Sequence, residues 1–332
     1  MGMGKSLNVL FVCSRKPSGS GIPSIGGKGL SSLVFSQGES LKRKGVKIDY
    51  FIVDNSLINK IKSIFKLKRK LKNKKYNIIH AHYGFTGIIA KLSSPKHKLI
   101  VSFMGGDLLG LVDRNGHFSL KSKLLASLVI LFGNYFTHHN IVKSKNLGDR
   151  LKMKKTSLIP NGIDLSIFYP MDKLFARRKL NIPENKSYIL FGSNPKRPEK
   201  NYKLFSEAIN NIKIKNLKIG VLQKFTPQEV MLHLNACDVM VLTSYYEGSP
   251  NVVKEALACN CPIVSTDVGD VKNRIKDIEN SFVCDYDSLD LSKKIAYILK
   301  SKKRSNGLQS MSSLDINIIA KRILNVYYKL EV

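Results

Sequence analysis

The sequence predicts an α/β fold of two domains, each containing a doubly wound parallel sheet. At 332 residues the chain is too long for one core and fits two domains of about 150 residues each. Strand-like apolar runs alternate with helical patterns along the first half, and the alternation starts again in the second half. The strand-like runs are apolar almost throughout, which is typical of parallel strands covered by helices on both faces. Two Rossmann-like domains in tandem therefore explain the pattern.

The first domain is predicted to span residues 1–165. Apolar runs predict strands at 7–12, 47–53, 77–80, 98–103, 136–142 and 156–160. Helical patterns between them predict helices at 29–44, 57–74, 86–92, 120–131 and 144–151. A turn-rich stretch containing Asn161, Gly162 and Pro170 follows the last strand, and it marks the domain boundary.

The second domain is predicted to span residues 166–332. Its strands are expected at 188–192, 217–222, 239–243 and 262–265. Its helices are expected at 202–212, 227–234, 252–257, 291–299 and 316–328, and we expect the last helix to pack back on the first domain.

The net charge of +31 is concentrated in the first domain. Residues 1–170 contain 29 Lys and Arg against 7 Asp and Glu, whereas residues 171–332 contain 26 against 17. A field of this size attracts polyanions, which include nucleic acid, anionic lipid and phosphorylated substrates. The chain is also rich in Lys, Asn and Ile together, and coding composition alone can produce that bias.

The cysteines and the hydropathy pattern indicate a reducing, cytoplasmic location. No stretch approaches the roughly 20 uninterrupted apolar residues of a membrane span. An odd number of scattered cysteines does not form a disulfide framework, and we expect them to be small buried apolar residues. They are Cys13, Cys237, Cys259, Cys261 and Cys284.

The segment 244–258 is the most informative for function. It follows a buried strand and opens a helix, and Gly248 allows a tight turn there. Ser249 is expected to cap this helix, and Pro250 suits its first position. A helix N-terminus at the carboxyl end of a parallel sheet has free amides, which bind an anionic phosphate.

Two carboxylates bracket this phosphate position. Glu247 precedes the helix and Glu255 lies within it. Their acceptor-only oxygens suit hydroxyl groups, such as a sugar on one flank and a ribose on the other. A strand-turn-helix corner with a solvated glutamate at each end is the alternative.

Two glutamates separated by seven residues in this setting resemble a motif of the retaining glycosyltransferases. Those enzymes form the large family that includes sucrose synthase and mannosyltransferases. The flanking residues 236–244 and 258–270 strengthen the resemblance, especially to the family-4-like enzymes that build bacterial surface polysaccharides. It covers residues 186–285 closely and the first half more loosely. The resemblance implies the GT-B fold, in which two Rossmann-like domains face each other across a cleft.

The resemblance also assigns roles in the second domain. Glu247 and the backbone that follows it hold the donor sugar and phosphates, and Glu255 binds the ribose hydroxyls. Arg197 and Lys200 match a basic pair of the family, although Lys196 competes with Arg197 for its place. Fixed cations of this kind stabilise the charge that develops on a leaving phosphate, without a metal. The donor-binding residues implied are Gly27, Gly248, Ser249, Pro250, Asn251, Val252 and Glu255.

Two segments of the first domain are expected to complete the site. Gly27 belongs to a glycine-rich loop at 25–29 that follows the first strand, where a backbone can approach the donor phosphates. A plain tight turn is the alternative for this loop. Asp107 matches a family aspartate that orients the acceptor, whereas Met104 stands where relatives often have a histidine acid/base.

These observations predict a glycosyltransferase that moves a sugar from a nucleotide-sugar donor to an acceptor sugar with retention. A UDP-sugar donor, a glycan or lipid-linked acceptor, no metal and no cofactor are expected. A nucleotide-sugar epimerase of similar fold and a basic nucleic-acid-binding protein are the alternatives. The Lys-rich segments lack interleaved aromatic residues, so we expect no nucleic-acid partner.

The segment 57–75 suggests contact with the inner face of the cell membrane. It combines nine basic residues with apolar residues that mostly share one helical face: Leu57, Ile58, Ile61, Ile64, Phe65 and Leu71. A basic amphipathic helix binds anionic lipid. The alternative is an ordinary helix that packs its apolar face on the sheet and leaves its lysines in solvent.

Overall fold

The computed structural model describes residues 7–15, 29–54, 56–113 and 116–331. It confirms the predicted fold, because two α/β domains each contain a parallel sheet, one of six strands and one of five. In both sheets the strand order reverses near the middle, and ligands bind at such switch points outside the carboxyl ends of the strands.

The first sheet has the strand order β2-β1-β3-β4-β5-β6, and every described pairing in it is parallel. Strands β1, β3 and β4 are almost completely buried, which explains their continuous apolar runs. The strands are β1 (Asn8–Ser14), β2 (Lys47–Val53), β3 (Ile78–His82), β4 (Lys98–Ser102), β5 (His139–Val142) and β6 (Thr156–Leu158).

The helices of the first domain cover both faces of this sheet. Three of them form one layer, in which α2 packs against α3 and α3 packs against α5. None of the helices in the described ranges is both long and apolar enough to cross a bilayer. They are α1 (Ser32–Lys42), α2 (Leu57–Asn73), α3 (Gly84–Ser93), α4 (Gly106–Leu109), α5 (Leu120–Tyr135) and α6 (Lys145–Gly148).

The second sheet has the strand order β11-β10-β9-β7-β8. Its strands are β7 (Ser187–Phe191), β8 (Leu217–Val221), β9 (Val239–Leu242), β10 (Ile263–Thr266) and β11 (Ser281–Cys284). The helices that follow β6 are α7 (Lys173–Lys179), α8 (Tyr202–Asn210), α9 (Pro227–Ala236), α10 (Asn251–Ala258), α11 (Val271–Ile275), α12 (Ser288–Ser301) and α13 (Ile316–Glu331).

Several predicted boundaries are wrong for local reasons. The strand expected at 136–142 begins at His139, because α5 continues to Tyr135 and Phe136 caps it. Strand β11 was not predicted, since its four residues are flanked by polar ones and form no clear apolar run. Helix α10 begins at Asn251, one residue before the predicted range, and Pro250 is its N-cap instead of its first residue. The Ser249 side chain does not cap it.

Helix α2 divides its apolar side chains between a strip packed on the domain and a strip open to solvent. Leu67 is buried, and Ile64 and Leu71 pack partly against the core. The remaining apolar side chains face solvent, and they are Leu57, Ile58, Ile61 and Phe65. One strip of this helix therefore packs on the domain and another is exposed, and the predicted contact with a membrane stays a prediction.

Helix α13 returns from the second domain to the first and packs against α1. The Tyr327 hydroxyl lies 2.7 Å from Nδ1 of His80 on β3. The Asn77 side-chain amide donates to the Glu331 carboxylate over 3.0 Å. The last helix thus connects the two domains by buried polar contacts as well as by packing.

Tyr327→Ala should lower the free energy of unfolding by about 3–5 kcal/mol, because it leaves a cavity and removes the hydrogen-bond partner of the buried His80 Nδ1. Tyr327 is completely buried, whereas the neighbouring Tyr328 is 46% exposed. Tyr328→Ala is therefore a matched control with an expected effect of about 0.5 kcal/mol or less. Urea unfolding followed by circular dichroism measures both, and equal effects of the two variants would contradict this role of α13.

Candidate functional site

An ion pair at the carboxyl end of the second sheet forms the centre of the site. Lys200 lies at the end of a short 3₁₀ turn after β7, and Glu247 lies in the loop after β9. The Lys200 ammonium donates to Oε1 of Glu247, which also accepts from the Ser244 hydroxyl over 2.9 Å. Both charged side chains are largely buried. The structure therefore brings together two predicted site residues that are distant in sequence.

Backbone contacts hold these two loops against each other. The Thr243 hydroxyl lies 2.9 Å from the carbonyl oxygens of both Lys200 and Asn201. The Tyr245 amide donates to the Glu199 carbonyl over 2.9 Å. Because the loops are joined on both sides of the ion pair, the Lys200 ammonium has a defined position.

Arg197 lies in the same loop but is more exposed. Its Nε donates to the Glu199 carboxylate over 2.7 Å, and half of its side chain is open to solvent. The guanidinium is thus paired with its neighbour in sequence and not with Glu247. Its predicted catalytic role stays a prediction.

The N-terminus of α10 lies immediately beyond Glu247. No side chain caps this helix, and Pro250 precedes its first residue, Asn251. The Ser249 hydroxyl is buried and has no hydrogen-bond partner among the described residues. Free amides and an unpaired hydroxyl are donors that suit a phosphate group. Val252, at the second helical position, lies close to Gly192 after β7.

Glu255 lies one turn further along α10 and is partly buried. Burial raises the pKa of Glu255 to about 7, although the adjacent Lys254 opposes the shift. Its carboxylate makes no hydrogen bond to any described residue, whereas the Lys254 ammonium donates to the Asn161 carbonyl over 3.0 Å. A partly desolvated carboxylate without a protein partner is able to accept hydrogen bonds from ligand hydroxyls.

The two domains meet at the loop that carries Glu247. A side chain at Gly248 would come within 2.9 Å of the Met104 carbonyl oxygen and of the Leu147 side chain. Gly105 approaches Gly248 from the first domain with a φ of +133°, which favours glycine. The donor-side loop is therefore in backbone contact with the first domain.

Asp107 organises the first-domain side of this contact. Its buried carboxylate accepts from the amides of Met104 and Gly105 and from the amide of Gly84, over 2.9–3.0 Å. Burial raises the pKa of Asp107, and these amides oppose the shift. The carboxylate thus holds the loop that touches Gly248. The predicted orientation of the acceptor by Asp107 stays a prediction.

The sequence analysis missed two tyrosines near the domain contact. Tyr83 caps α3 with a φ of +94°, a strained value for a residue with a side chain. Burial, with Asp107 and Tyr246 nearby, raises the pKa of Tyr83. Tyr246 contacts Phe118 across the cleft, with 5.7 Å between ring centres. Backbone strain is a property of the three-dimensional structure, so no sequence signal marked Tyr83.

An open cavity of about 500 Å³ lies between the domains beside Glu247. From the first domain it is lined by Phe118, Lys123 and Arg150 among others, and from the second by Tyr245, Tyr246 and Asp267. Two cations and several aromatic rings are suited to a ligand that carries both phosphate and sugar groups.

Two further expectations from the sequence concern Gly27 and a metal ion. Gly27 lies outside the described residues. Within the described ranges, no group of three or more His, Cys, Asp or Glu side chains is placed to hold a metal ion.

Two family models match the chain. The model for glycosyl transferases group 1 matches residues 216–311, and the model for glycosyltransferase family 4 matches residues 30–167. The two parallel-sheet α/β domains have the GT-B fold. The two matched models identify the chain as a glycosyltransferase. The chain belongs to the family-4-like members of that group.

The chain is similar to enzymes named for lipid-linked substrates. The UDP-Gal:alpha-D-GlcNAc-diphosphoundecaprenol alpha-1,3-galactosyltransferase of Escherichia coli is 25% identical over 71% of this chain and 69% of its own length. The N,N'-diacetylbacillosaminyl-diphospho-undecaprenol alpha-1,3-N-acetylgalactosaminyltransferase of Campylobacter jejuni is 26% identical over 87% of each chain.

The solved structures agree on the fold. Sucrose-phosphate synthase from Thermosynechococcus elongatus superposes with a TM-score of 0.80. The superposition covers 98% of this chain and 99% of the other chain at 18% sequence identity, which supports the fold alone.

Glu255→Gln should raise the thermal midpoint of the ligand-free protein at pH 8 and leave it unchanged at pH 4.5. The folded-state pKa of Glu255 is about 7 against a usual 4.5. The folded protein therefore binds more protons between these values, and the wild type loses stability as pH rises through that window, by roughly 1–3 kcal/mol. Differential scanning fluorimetry across pH measures this, with the more exposed Glu207→Gln as control. A midpoint difference that does not vary with pH would contradict the burial of this carboxylate.

Proposed function

We propose that the protein transfers a sugar from UDP to the sugar of a lipid-linked diphosphate acceptor, with retention, in the synthesis of a cell-surface polysaccharide. The Lys200–Glu247 ion pair beside the uncapped N-terminus of α10 carries the proposal. It places a fixed cation, free amides and a carboxylate at the carboxyl end of a parallel sheet, where a nucleoside diphosphate binds.

The donor diphosphate would lie on the N-terminus of α10. Its negative charge would be bound by the free amides and the unpaired Ser249 hydroxyl. Glu255, whose carboxylate has no hydrogen-bond partner among the described residues, would accept from the ribose hydroxyls. Glu247 would hold the sugar on the opposite flank while it keeps Lys200 in position.

Bond cleavage would place negative charge on the leaving phosphate, and Lys200 would stabilise that charge. The ammonium is held by Glu247 and by the joined loops, so little reorganisation is needed as the charge develops. Arg197 would add a second, more exposed cation. The proposal includes independence from metals, because these cations supply the charge that a metal would otherwise provide.

The acceptor would enter through the 500 Å³ cavity beside Glu247. Its hydroxyl would attack the sugar from the face that the phosphate leaves, which retains the configuration, and the hydroxyl proton would pass to the departing phosphate oxygen. We favour same-face attack over double displacement, because the Glu247 carboxylate beside the cavity already accepts from Lys200 and Ser244 and is thus a weakened nucleophile. Asp107 would act here by holding the loop at Met104 and Gly105.

The similar enzymes support the choice of donor and acceptor. One is named for UDP-Gal, and both are named for diphosphoundecaprenol substrates. The excess positive charge of the first domain fits a phosphorylated acceptor held at an anionic membrane. We therefore propose a cytoplasmic enzyme that works at the inner face of the cell membrane.

A panel of radiolabelled nucleotide sugars tests the reaction directly. The expected product with a UDP-sugar and a diphosphoprenyl-linked sugar is an extended lipid-linked glycan, resolved by thin-layer chromatography. Conversion of the free donor into its epimer without transfer would instead support an epimerase and overturn the proposal.

Lys200→Ala should reduce turnover by about a hundredfold or more and affect the donor KM less, because its charge is needed most as the phosphate leaves. Lys203→Ala is the matched control, since its side chain is 85% exposed and lies three residues away. Steady-state kinetics with saturating acceptor measures both variants. Equal turnover of Lys200→Ala and Lys203→Ala would remove Lys200 from the chemistry.

Glu255→Ala should weaken UDP binding by roughly 1.5–3 kcal/mol, because a pair of charge-assisted hydrogen bonds to the ribose is lost. Glu207→Ala, on an exposed face of α8, is the control. Isothermal titration with UDP gives both affinities. An unchanged affinity in folded Glu255→Ala would exclude this carboxylate from the nucleotide site.

Activity should persist after dialysis against EDTA. A complete loss of rate that magnesium or manganese restores would overturn the metal-free part of the proposal and leave the nucleotide site unaffected.

A further inference from the structure

Helix α5 presents a row of large apolar side chains to solvent. The row recurs at intervals of three and four residues, so its members lie on one face of the helix. Each of them is at least half exposed: Leu120 at 83%, Leu124 at 62%, Leu128 at 51%, Leu131 at 51% and Tyr135 at 60%. We call this set the leucine row. Single exposed leucines are ordinary, but a contiguous row over four turns marks an interaction surface.

The neighbouring face of the same helix forms part of the acceptor-side cavity. Lys123, Ser127 and Ile130 line the 500 Å³ space that also contains Glu247. These positions alternate with those of the leucine row along α5. One helix therefore joins the proposed sugar-transfer site to an exposed apolar surface.

The apolar surface continues on the same side of the domain. Helices α2, α3 and α5 form one layer, in which each packs on the next. The first three turns of α2 expose Leu57 at 75%, Ile58 at 67% and Phe65 at 68%. Phe85 on α3 lies beside α2, where the Lys60 ammonium stands 5.7 Å from the centre of its ring.

The charge around this surface has one sign. The sequence contains no Asp or Glu between Asp54 and Asp107, and none between Asp113 and Asp149. These two stretches include all of α2, α3 and α5. Basic side chains border the apolar ones, and the Lys152 ammonium lies 4.1 Å from the ring centre of Tyr135. Apolar side chains on helices that contain basic but no acidic residues are complementary to an anionic phospholipid surface.

We propose that this layer docks on an anionic bilayer, with the leucine row of α5 and the first turns of α2 in the acyl region. The lysines of the last turns of α2 would contact the lipid headgroups. Docking in this orientation would place the cavity mouth beside the headgroups, where a lipid-linked diphosphate lies. That last link rests on the proposed function, whereas the docking surface does not.

The composition of the chain permits a direct measurement of insertion. It contains no tryptophan, so all tryptophan fluorescence of a variant comes from the single residue that is introduced. Leu128→Trp samples the leucine row, and Leu289→Trp is the control, because Leu289 is similarly exposed at 55% but lies on α12 of the second domain.

With vesicles of phosphatidylglycerol, Leu128→Trp fluorescence should shift to the blue and be quenched by brominated acyl chains. Leu289→Trp should show neither change, and vesicles of phosphatidylcholine alone should bind at least about tenfold more weakly at low salt. Quenching of both variants to the same extent, or of neither, would overturn the proposed orientation.

A second pair of variants separates the apolar from the electrostatic contribution. Leu124→Asn combined with Leu128→Asn should reduce the vesicle partition coefficient by about tenfold or more, since two large apolar side chains are lost. The control, Leu174→Asn combined with Leu289→Asn, changes two exposed leucines of the second domain and should leave it unchanged. Replacing Lys62, Lys66, Lys68 and Lys72 by Gln should remove the preference for anionic vesicles.

Two further measurements test the docking surface separately from the proposed sugar transfer. The Leu124→Asn/Leu128→Asn variant should bind UDP as the wild type does and should lose activity only toward acceptors in vesicles, not toward a short-chain soluble acceptor. Unimpaired vesicle binding by this variant would overturn the docking surface whatever the enzyme transfers. A wild-type dimer in light scattering that the same variant converts to a monomer, without preference for anionic lipid, would instead assign the row to a second copy of the chain.

Discussion

The close approach of two backbone loops at Gly248 is the constraint on which the site depends. Gly248 touches the Met104 carbonyl of the first domain, and Gly269 approaches the Gly248 backbone from the other side with a φ of +62°. Side chains at these positions would meet backbone atoms that have little room to move. The loop after β9 is therefore held between the domains. Because Glu247 lies in this loop, its position is fixed as well. Asp107 supports the same contact by binding three amides of the first-domain loops.

Burial also shifts the pKa values of several charged groups in and around the cleft. Burial lowers the pKa of Lys143 and of Lys254 to about 7, and it raises the pKa of Glu255 to about 7. With pKa values near neutrality, each of these groups changes its charge state close to pH 7. The Lys200–Glu247 pair differs, because each charge already has its partner. The cleft thus combines a buried ion pair with charged groups whose pKa values burial has shifted.

The site could be predicted from the sequence where its parts lie close together in the chain. The turn at Gly248, the helix that follows and the two glutamates fall within about three turns of one another, so local spacing identified them. The partner of Arg197 and the function of the Asp107 carboxylate in the loop could not be predicted this way. Tyr83 had no signal at all, since its strained backbone arises only when β3, α3 and the Asp107 loop meet.

The sequence by itself determined the class of fold, the order of most elements and the helix N-terminus that lies between the two glutamates. Periodicity and turn residues act over a few residues, and so a local pattern is enough to specify them. Only the tertiary structure decided the pairing of Lys200 with Glu247, 47 residues apart, and of His80 with Tyr327, 247 residues apart. It also decided which apolar side chains of α2 and α5 stay exposed. Burial depends on which elements pack together, and amphipathic spacing alone does not distinguish a face covered by the protein from one left for a partner.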